Sequence, residues 1–353
     1  MAIQDKPELL GSEAGLGAAV AAEHGAIQGG DHDPVDAIRA RGYWELVWRR
    51  LRRDKVAIGA GVFIIFLVLA AFPGAWIAEQ QLGHSPEDIF LPYALDERQV
   101  PVGPMTNVTT PEGGTTLFIL GADSTLGRDA FLRLLYGARV SLEVALLSTI
   151  GVMFFGVILG SVAGYFRGGI DTLVSRLSEV VMAFPVLLFY IALASTIGPR
   201  LNNLTLGGIF QPGVLTLVII FTIFGWYYPA RIMRAQVLSL REKEFVEAAH
   251  MTGASDARII RSHIVPHLIA PMLVYSTLII AQYVLAEAGL SFLGVGIDES
   301  VPSWGNMLAQ GPNFYTVQPW LMVWPGLAVL LTTLAFNLLG DGLRDSFDPR
   351  GAS

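Results

Sequence analysis

Six apolar stretches, each near the roughly 20 residues that a membrane-crossing helix needs, constrain this chain more than anything else in it. They run over about Val56–Ile77, Val140–Tyr165, Leu177–Ile197, Gly213–Tyr228, Leu268–Glu287 and Trp320–Gly340. The fourth is the shortest, but Trp226, Tyr227 and Tyr228 supply it with an aromatic anchor for the membrane–water interface. Composition agrees, with 53% of residues hydrophobic and 15% charged, against about 25% charged in soluble domains. The expected fold class is an all-α polytopic membrane protein with six transmembrane helices.

Several chemistries drop out. Cysteine is absent, which removes disulfide frameworks, thiolate zinc sites and iron–sulfur clusters. Lysine occurs only at Lys6, Lys55 and Lys243, none in a G-x-x-x-x-G-K-[ST] phosphate loop. If ATP drives this protein, another chain hydrolyses it. A net charge of −7 without a basic face argues against nucleic acid. His263 and His267 share a helical spacing but lack a third ligand type nearby, so a surface pair is favoured over a metal site. Glu143, Glu179 and Glu287 lie in or near spans and read as structural hydrogen-bonding groups rather than a proton relay, Glu287 falling near the outer surface. Asn107-Val108-Thr109 and Asn203-Leu204-Thr205 match a glycosylation pattern too common to weigh.

The distribution of Arg and Lys orients the chain. Arg39, Arg41, Arg49, Arg50, Arg52, Arg53 and Lys55 precede the first span. Arg167 and Arg176 lie between the second and third, and Arg231, Arg234, Arg241, Lys243, Arg258 and Arg261 between the fourth and fifth. The loops after the third and fifth spans carry one Arg, at Arg200, and none. Both termini and the loop at about 231–266 are therefore expected in the cytoplasm, with a long external loop over about 79–139. Residues 1–38 lack the basic start of a signal peptide and read as a disordered cytoplasmic tail. Residues 39–55, with Trp44, Val47, Trp48 and Leu51 among arginines, predict an amphipathic interfacial helix. Span-forming sequence fills 56–345, and 346–353 form a cytoplasmic tail. In the external loop, prolines and glycines predict irregular structure or short strands. Asp129–Tyr136 predicts a short helix with Phe131, Leu134 and Leu135 on one face and Arg133 off it.

The cytoplasmic loop follows local rules. Ser239-Leu240-Arg241-Glu242 has capping-box spacing, predicting a helix from about Leu240 through Phe245, Ala248 and Ala249 to Thr252. Gly253 suits the left-handed position after a helix C-terminus. Ser255 can cap a second helix carrying Ala257, Ile260 and Ile264 on one stripe, and Pro266 ends it or begins the fifth span. Glu247 and the small Ala248 and Ala249 would present a surface to a partner.

The spacing Glu247-Ala248-Ala249, then Gly253, then Pro266 closely resembles the EAA loop of ABC importer permeases. Gly121-Ala122-Asp123-Ser124-Thr125-Leu126-Gly127-Arg128-Asp129 is similar to the G-T-D-x-x-G-R-D signature of one branch, the C-type inner-membrane permeases of dipeptide, oligopeptide and nickel importers. Ala122 replaces Thr there, and one extra residue separates Asp123 from Gly127. Glu287–Gly296, Pro302–Leu308 and Asn337–Asp345 with Asp348-Pro349-Arg350 resemble further blocks of that branch, in the same order.

The resemblance implies a permease fold with a cytoplasmic coupling hairpin and no enzymatic activity or cofactor of its own. ATP and Mg would bind two cytoplasmic ATPase subunits, and Glu247, Ala248, Ala249, Gly253, Ser255 and Pro266 would couple to them. A homologous B-type permease, an extracytoplasmic substrate-binding protein and the lipid bilayer of a bacterial or archaeal cytoplasmic membrane complete the implied partners. Gly121, Asp123, Gly127, Arg128 and Asp129 form the implied external signature. Nickel chelates or oligosaccharides are alternative cargoes. An ion-coupled secondary transporter would need a midplane set of charges or half-helices, and no convincing set stands out in the sequence.

Overall fold

The structure is a computed structural model and describes residues 43–110, 113–124, 126–202 and 204–348. The expected tail over 1–38, and Thr125, Asn203, Pro349 and Arg350, lie outside the described residues. The chain divides into a unit ending at Leu46 and a second from Val47 onward. Of the helix expected over 39–55, residues 39–42 lie outside the described residues, and helix α1 (Tyr43–Leu51) ends before 55, with Trp48 exposed while Val47 and Leu51 are buried.

Asp54 starts the first span, its carboxylate accepting the Val56 and Ala57 amides at 2.9 and 3.0 Å. Helix α2 (Lys55–Leu69) continues through a π-helical turn at Ala70–Gly74 into α3 (Ala75–Leu82). Pro73 explains the turn, since it has no N–H for the carbonyl four residues back. Two short antiparallel hairpins follow, β1 (Thr106–Thr109) with β2 (Thr115–Phe118), and β3 (Ala122–Asp123) with β4 (Arg128–Asp129).

The separate surface helix expected at Asp129–Tyr136 does not exist. Asp129 caps a single helix α4 (Ala130–Phe166) of 37 residues, accepting the Phe131 and Leu132 amides at 2.7 and 3.3 Å. No proline interrupts this run, so the external helix and the second span fuse. The expected face is also inverted, because Leu132 and Arg133 are buried and Phe131, Leu134 and Leu135 are only partly so.

The third and fourth apolar stretches are not straight spans. Helix α5 (Gly168–Met182) and α6 (Val186–Leu201) meet at 82°. Pro185 disfavours helical geometry at Phe184 and forces the break. Helices α7 (Val214–Gly225) and α8 (Tyr227–Leu240) meet at 42° across Trp226. Helix α9 (Glu244–Met251), the turn at Gly253 and α10 (Asp256–Ile259) form the hairpin. A π turn (Ile260–Ile264) then joins α10 to α11 (Val265–Phe292), making one run of 37 residues from Asp256 to Phe292. Pro266 therefore lies inside this run, in the first turn of α11, where its missing N–H is tolerated. Helices α12 (Trp304–Gln310) and α13 (Trp320–Phe347) complete the chain.

Among the described residues, four helices or helix runs are long and apolar enough to cross a membrane, or six with each bent pair counted as one span. Helix α4 is the central post, packed against α7, α8 and α11, while α13 bridges α11 and α2. Exposed Leu327, Leu330, Leu331 and Leu334 give α13 an apolar outer face of the kind that lipid covers.

Candidate functional site

The hairpin forms at one end of α4. Helix α8 runs unbroken to Leu240, so Ser239 is an interior helical residue and the predicted capping box does not form. Helix α9 starts instead at Glu244, with Lys243 in extended backbone before it. Its C-terminus closes in a Schellman arrangement: Ala254 N–H donates to Ala249 O at 3.0 Å and Gly253 N–H to His250 O at 2.9 Å. Gly253 takes φ +78°, as expected from its sequence position, and a Cβ there would meet no atom within 4 Å. The constraint on Gly253 is thus conformational and not steric.

The expected coupling residues divide by face. Glu247 and Ala248 are exposed, while Val246 and Ala249 turn inward, so the two alanines have different tasks. Ser255 precedes α10 as expected, yet its side chain makes no capping bond. Pro266 is exposed on α11. Met251, 84% exposed, stands beside the turn.

A clamp holds the hairpin to the bundle, and it was not visible in the sequence. Tyr165, in the last turn of α4, donates through its hydroxyl to Asp256 Oδ1 at 2.7 Å, and the same oxygen lies 3.0 Å from His250 Nε2. One side chain thereby touches both arms of the hairpin. The Arg241 guanidinium donates to the Tyr165 carbonyl and lies 5.9 Å from its ring centroid. Arg167 pairs with Glu242 at 2.5 Å and Arg234 pairs with Asp171 in a two-bond contact. Phe245 packs on His267, ring centroids 5.1 Å apart.

Helix α8 is held against α4 at backbone distance. Gly156, Gly160 and Gly164 repeat every fourth residue and form a groove in which Pro229, Ala230, Met233 and Val237 sit. A Cβ at Gly156 would come within 2.6 Å of Pro229 Cβ, and one at Gly164 within 2.8 Å of the Arg234 carbonyl. The G-x-x-x-G-x-x-x-G spacing was the available sequence signal for this contact.

The other signature residues assemble about 54 Å away, at the opposite end of α4, taking 1.5 Å rise per residue. The β3–β4 register sets Ala122 against Asp129 and Asp123 against Arg128. Gly121 has φ +84° and a Cβ there would lie 2.6 Å from the Val102 carbonyl. Gly127 turns the hairpin at φ +67°. Asp123 forms an ion pair with fully buried Arg133 and lies 3.6 Å from Arg128. With its amide oriented to satisfy the network, Gln310 donates to Asp123 Oδ1 at 2.6 Å and accepts from Arg128 at 3.2 Å. Arg128 and Asp129 are thus built into the fold. Glu287 is fully buried and accepts from Ser141 and Ser291 at 2.6 and 2.8 Å, the structural bonding expected for it.

His84 closes this end. Its Nε2 lies 3.1 Å from Asp129 Oδ2 and its Nδ1 3.1 Å from the Leu82 carbonyl. Both partners accept only, so the doubly protonated ring alone can satisfy them together. Burial lowers the His84 pKa, but the hydrogen bond and charge of Asp129, helped by Leu82, outweigh it and raise the net value above 6.5. The charged contact is therefore complete below about pH 6.5 and is lost as pH rises through the raised value. Hydrogen exchange at the amides of Phe131 and Leu132 should accelerate across that rise, and His84→Gln should remove the pH dependence. A flat profile in the native chain would reject this assignment.

Residues 156–352, more than half of the chain, match the family described as binding-protein-dependent transport system inner membrane component. The chain belongs to this family. Residues 42–101 match the N-terminal TM domain of oligopeptide transport permease C. The permease is 34% identical to a dipeptide transport system permease protein of Alkalihalophilus pseudofirmus, over 90% of this chain and 93% of that one. It is 35% identical to a glutathione transport system permease protein of Pectobacterium atrosepticum, covering 87% and 91%. It is 32% identical to a di/tripeptide transport system permease protein of Pseudomonas aeruginosa, covering 86% and 91%. The permease is a multi-pass membrane subunit of an ABC transport system of the C-type branch.

Proposed function

We propose that this chain forms half of the translocation path of an ATP-driven importer for dipeptides or oligopeptides in a bacterial or archaeal cytoplasmic membrane. The carrying observation is the clamped hairpin at one end of α4, which leaves Glu247 and Ala248 exposed for a partner in a chain without a phosphate loop. Two cytoplasmic ATPase subunits bind ATP and Mg, and their closure pushes on α9. The push reaches α4 through Tyr165 and reaches α8 and α11 through the chain itself. The other half of the path is a B-type permease, and an extracytoplasmic binding protein delivers cargo at the Asp123–Asp129 end. Excess Arg and Lys near the hairpin supports placing it and both termini in the cytoplasm. The permease itself carries no catalytic residues. Peptide cargo is supported by the relatives' transport of dipeptides, di/tripeptides and glutathione, as their names state.

Uptake by cells expressing the complete complex provides the test. Depleting ATP while an ion gradient is kept should stop import, and an uncoupler applied with ATP maintained should not. The reverse pattern would identify a gradient-driven transporter and sink the proposal.

A further inference from the structure

Gln282 is a polar side chain within a spanning helix that the coupling hairpin and the external signature leave without a role. It lies on α11 inside the fifth apolar stretch, about 21 Å from Leu268 and about 7.5 Å from Glu287 at 1.5 Å per residue, and so in the outer half of a 30 Å hydrocarbon layer. It is exposed, and among the described residues its amide has no hydrogen-bond partner. An unsatisfied amide facing lipid costs several kcal/mol. Gln282 therefore faces something polar.

It opens on a cavity of about 670 Å³ lined also by Tyr190, Gly225, Tyr227, Tyr228 and Tyr283. None of the lining residues is charged. Both broken spans contribute to the wall, α6 just after its 82° break and α8 just after its 42° break. Non-helical backbone at membrane depth is tolerated where it lines a polar cavity. Here Pro229 has no N–H, so the Gly225 carbonyl at the wall loses its i+4 donor. Gly225 cannot be enlarged, because a Cβ would strike the Tyr283 hydroxyl.

We propose that this cavity seats the main chain of the transported peptide, with Gln282 pairing to a peptide group and the tyrosines flanking it. A side-chain amide offers one donor edge and one acceptor edge, the complement of a peptide N–H and C=O. Uncharged walls with aromatic faces leave the peptide's own side chains unread, so the seat holds peptides of varied sequence. The proposal rests on the importer reading above and names the ligand chemistry of its path.

The test uses the complete complex in proteoliposomes, supplied with a library of di- to pentapeptides read by mass spectrometry. Gln282→Leu should lower the flux of all imported peptides in parallel, about fivefold to tenfold, while Gln282→Asn retains most of it. Because the chain has no cysteine, Gln282→Cys adds the only thiol to this subunit. That thiol should react with a small charged methanethiosulfonate and be protected by the peptide library. If the wild type imports no member of the library, the peptide reading itself fails. If the wild type imports peptides and Gln282→Leu matches it, only the seat is overturned. A thiol that is unreactive in every nucleotide state, or that cross-links to the partner permease, also overturns the seat and makes Gln282 an interface group.

Discussion

Replacing Gly160 with leucine should leave the membrane with little assembled permease. Gly160 faces the Ala230 carbonyl and Met233 Cβ so closely that even one added carbon collides with backbone. Carbonyls in a helix cannot move aside as the end of a flexible side chain can. Overpacking a well-filled core costs about 1–3 kcal/mol, and here the strain falls on the seam that fixes α8 to α4. That seam also leads into the hairpin. The amount of complex recovered by size-exclusion chromatography in mild detergent should fall severalfold for Gly160→Leu and less for Gly160→Ala. Gly169→Leu serves as the control, because a Cβ at Gly169 meets nothing within 4 Å. Wild-type recovery of Gly160→Leu would show that the close approach is not needed.

Glu247→Lys and Gly253→Asp should each abolish transport while the complex still inserts and assembles. Glu247 is exposed and makes no ion pair among the described residues, so reversing its charge disturbs a partner surface before it disturbs the fold. Gly253 sits in the left-handed region, where a non-glycine residue costs about 1–2 kcal/mol. Asparagine tolerates that region better, so Gly253→Asn separates loss of turn geometry from the introduced charge. Tyr165→Phe keeps the ring but removes the hydroxyl contacts to Asp256 and His250. Its complex should hydrolyse ATP in response to loaded binding protein yet import severalfold less per ATP. Wild-type import by all of these variants would remove the hairpin from the coupling path.

Membrane class, the six apolar stretches and the turn at Gly253 were legible because each depends on local physics. A run of about 20 apolar residues, or a glycine after a helix end, means much the same in any context. The capping box at Ser239 failed because its signal is short. Helix α8, packed along α4 through the glycine groove, continues through Leu240 and overrides it. The external helix failed for a related reason: no proline separates Tyr136 from the second span, so continuing one helix satisfies more backbone bonds than starting another. Arg133 was assigned to solvent by its charge, yet Asp123 neutralises it in a fully buried pair. A charge pair closed across a β-turn into a helix leaves no periodic trace in a sequence.

By itself, the sequence determined where the chain is apolar, how its Arg and Lys are distributed between the loops, and that none of its lysines sits in a G-x-x-x-x-G-K-[ST] phosphate loop. Those are properties of single segments, summed residue by residue. Only the tertiary structure decided that Tyr165 grips both arms of the hairpin and that two proline-linked breaks converge on one cavity. It also decided that Ala248 faces outward while Ala249 packs inward. The Glu247–Gly253 segment carries the same letters in either account. The lever we propose it to be depends on what lies beneath it, and packing between segments far apart in the chain sets that.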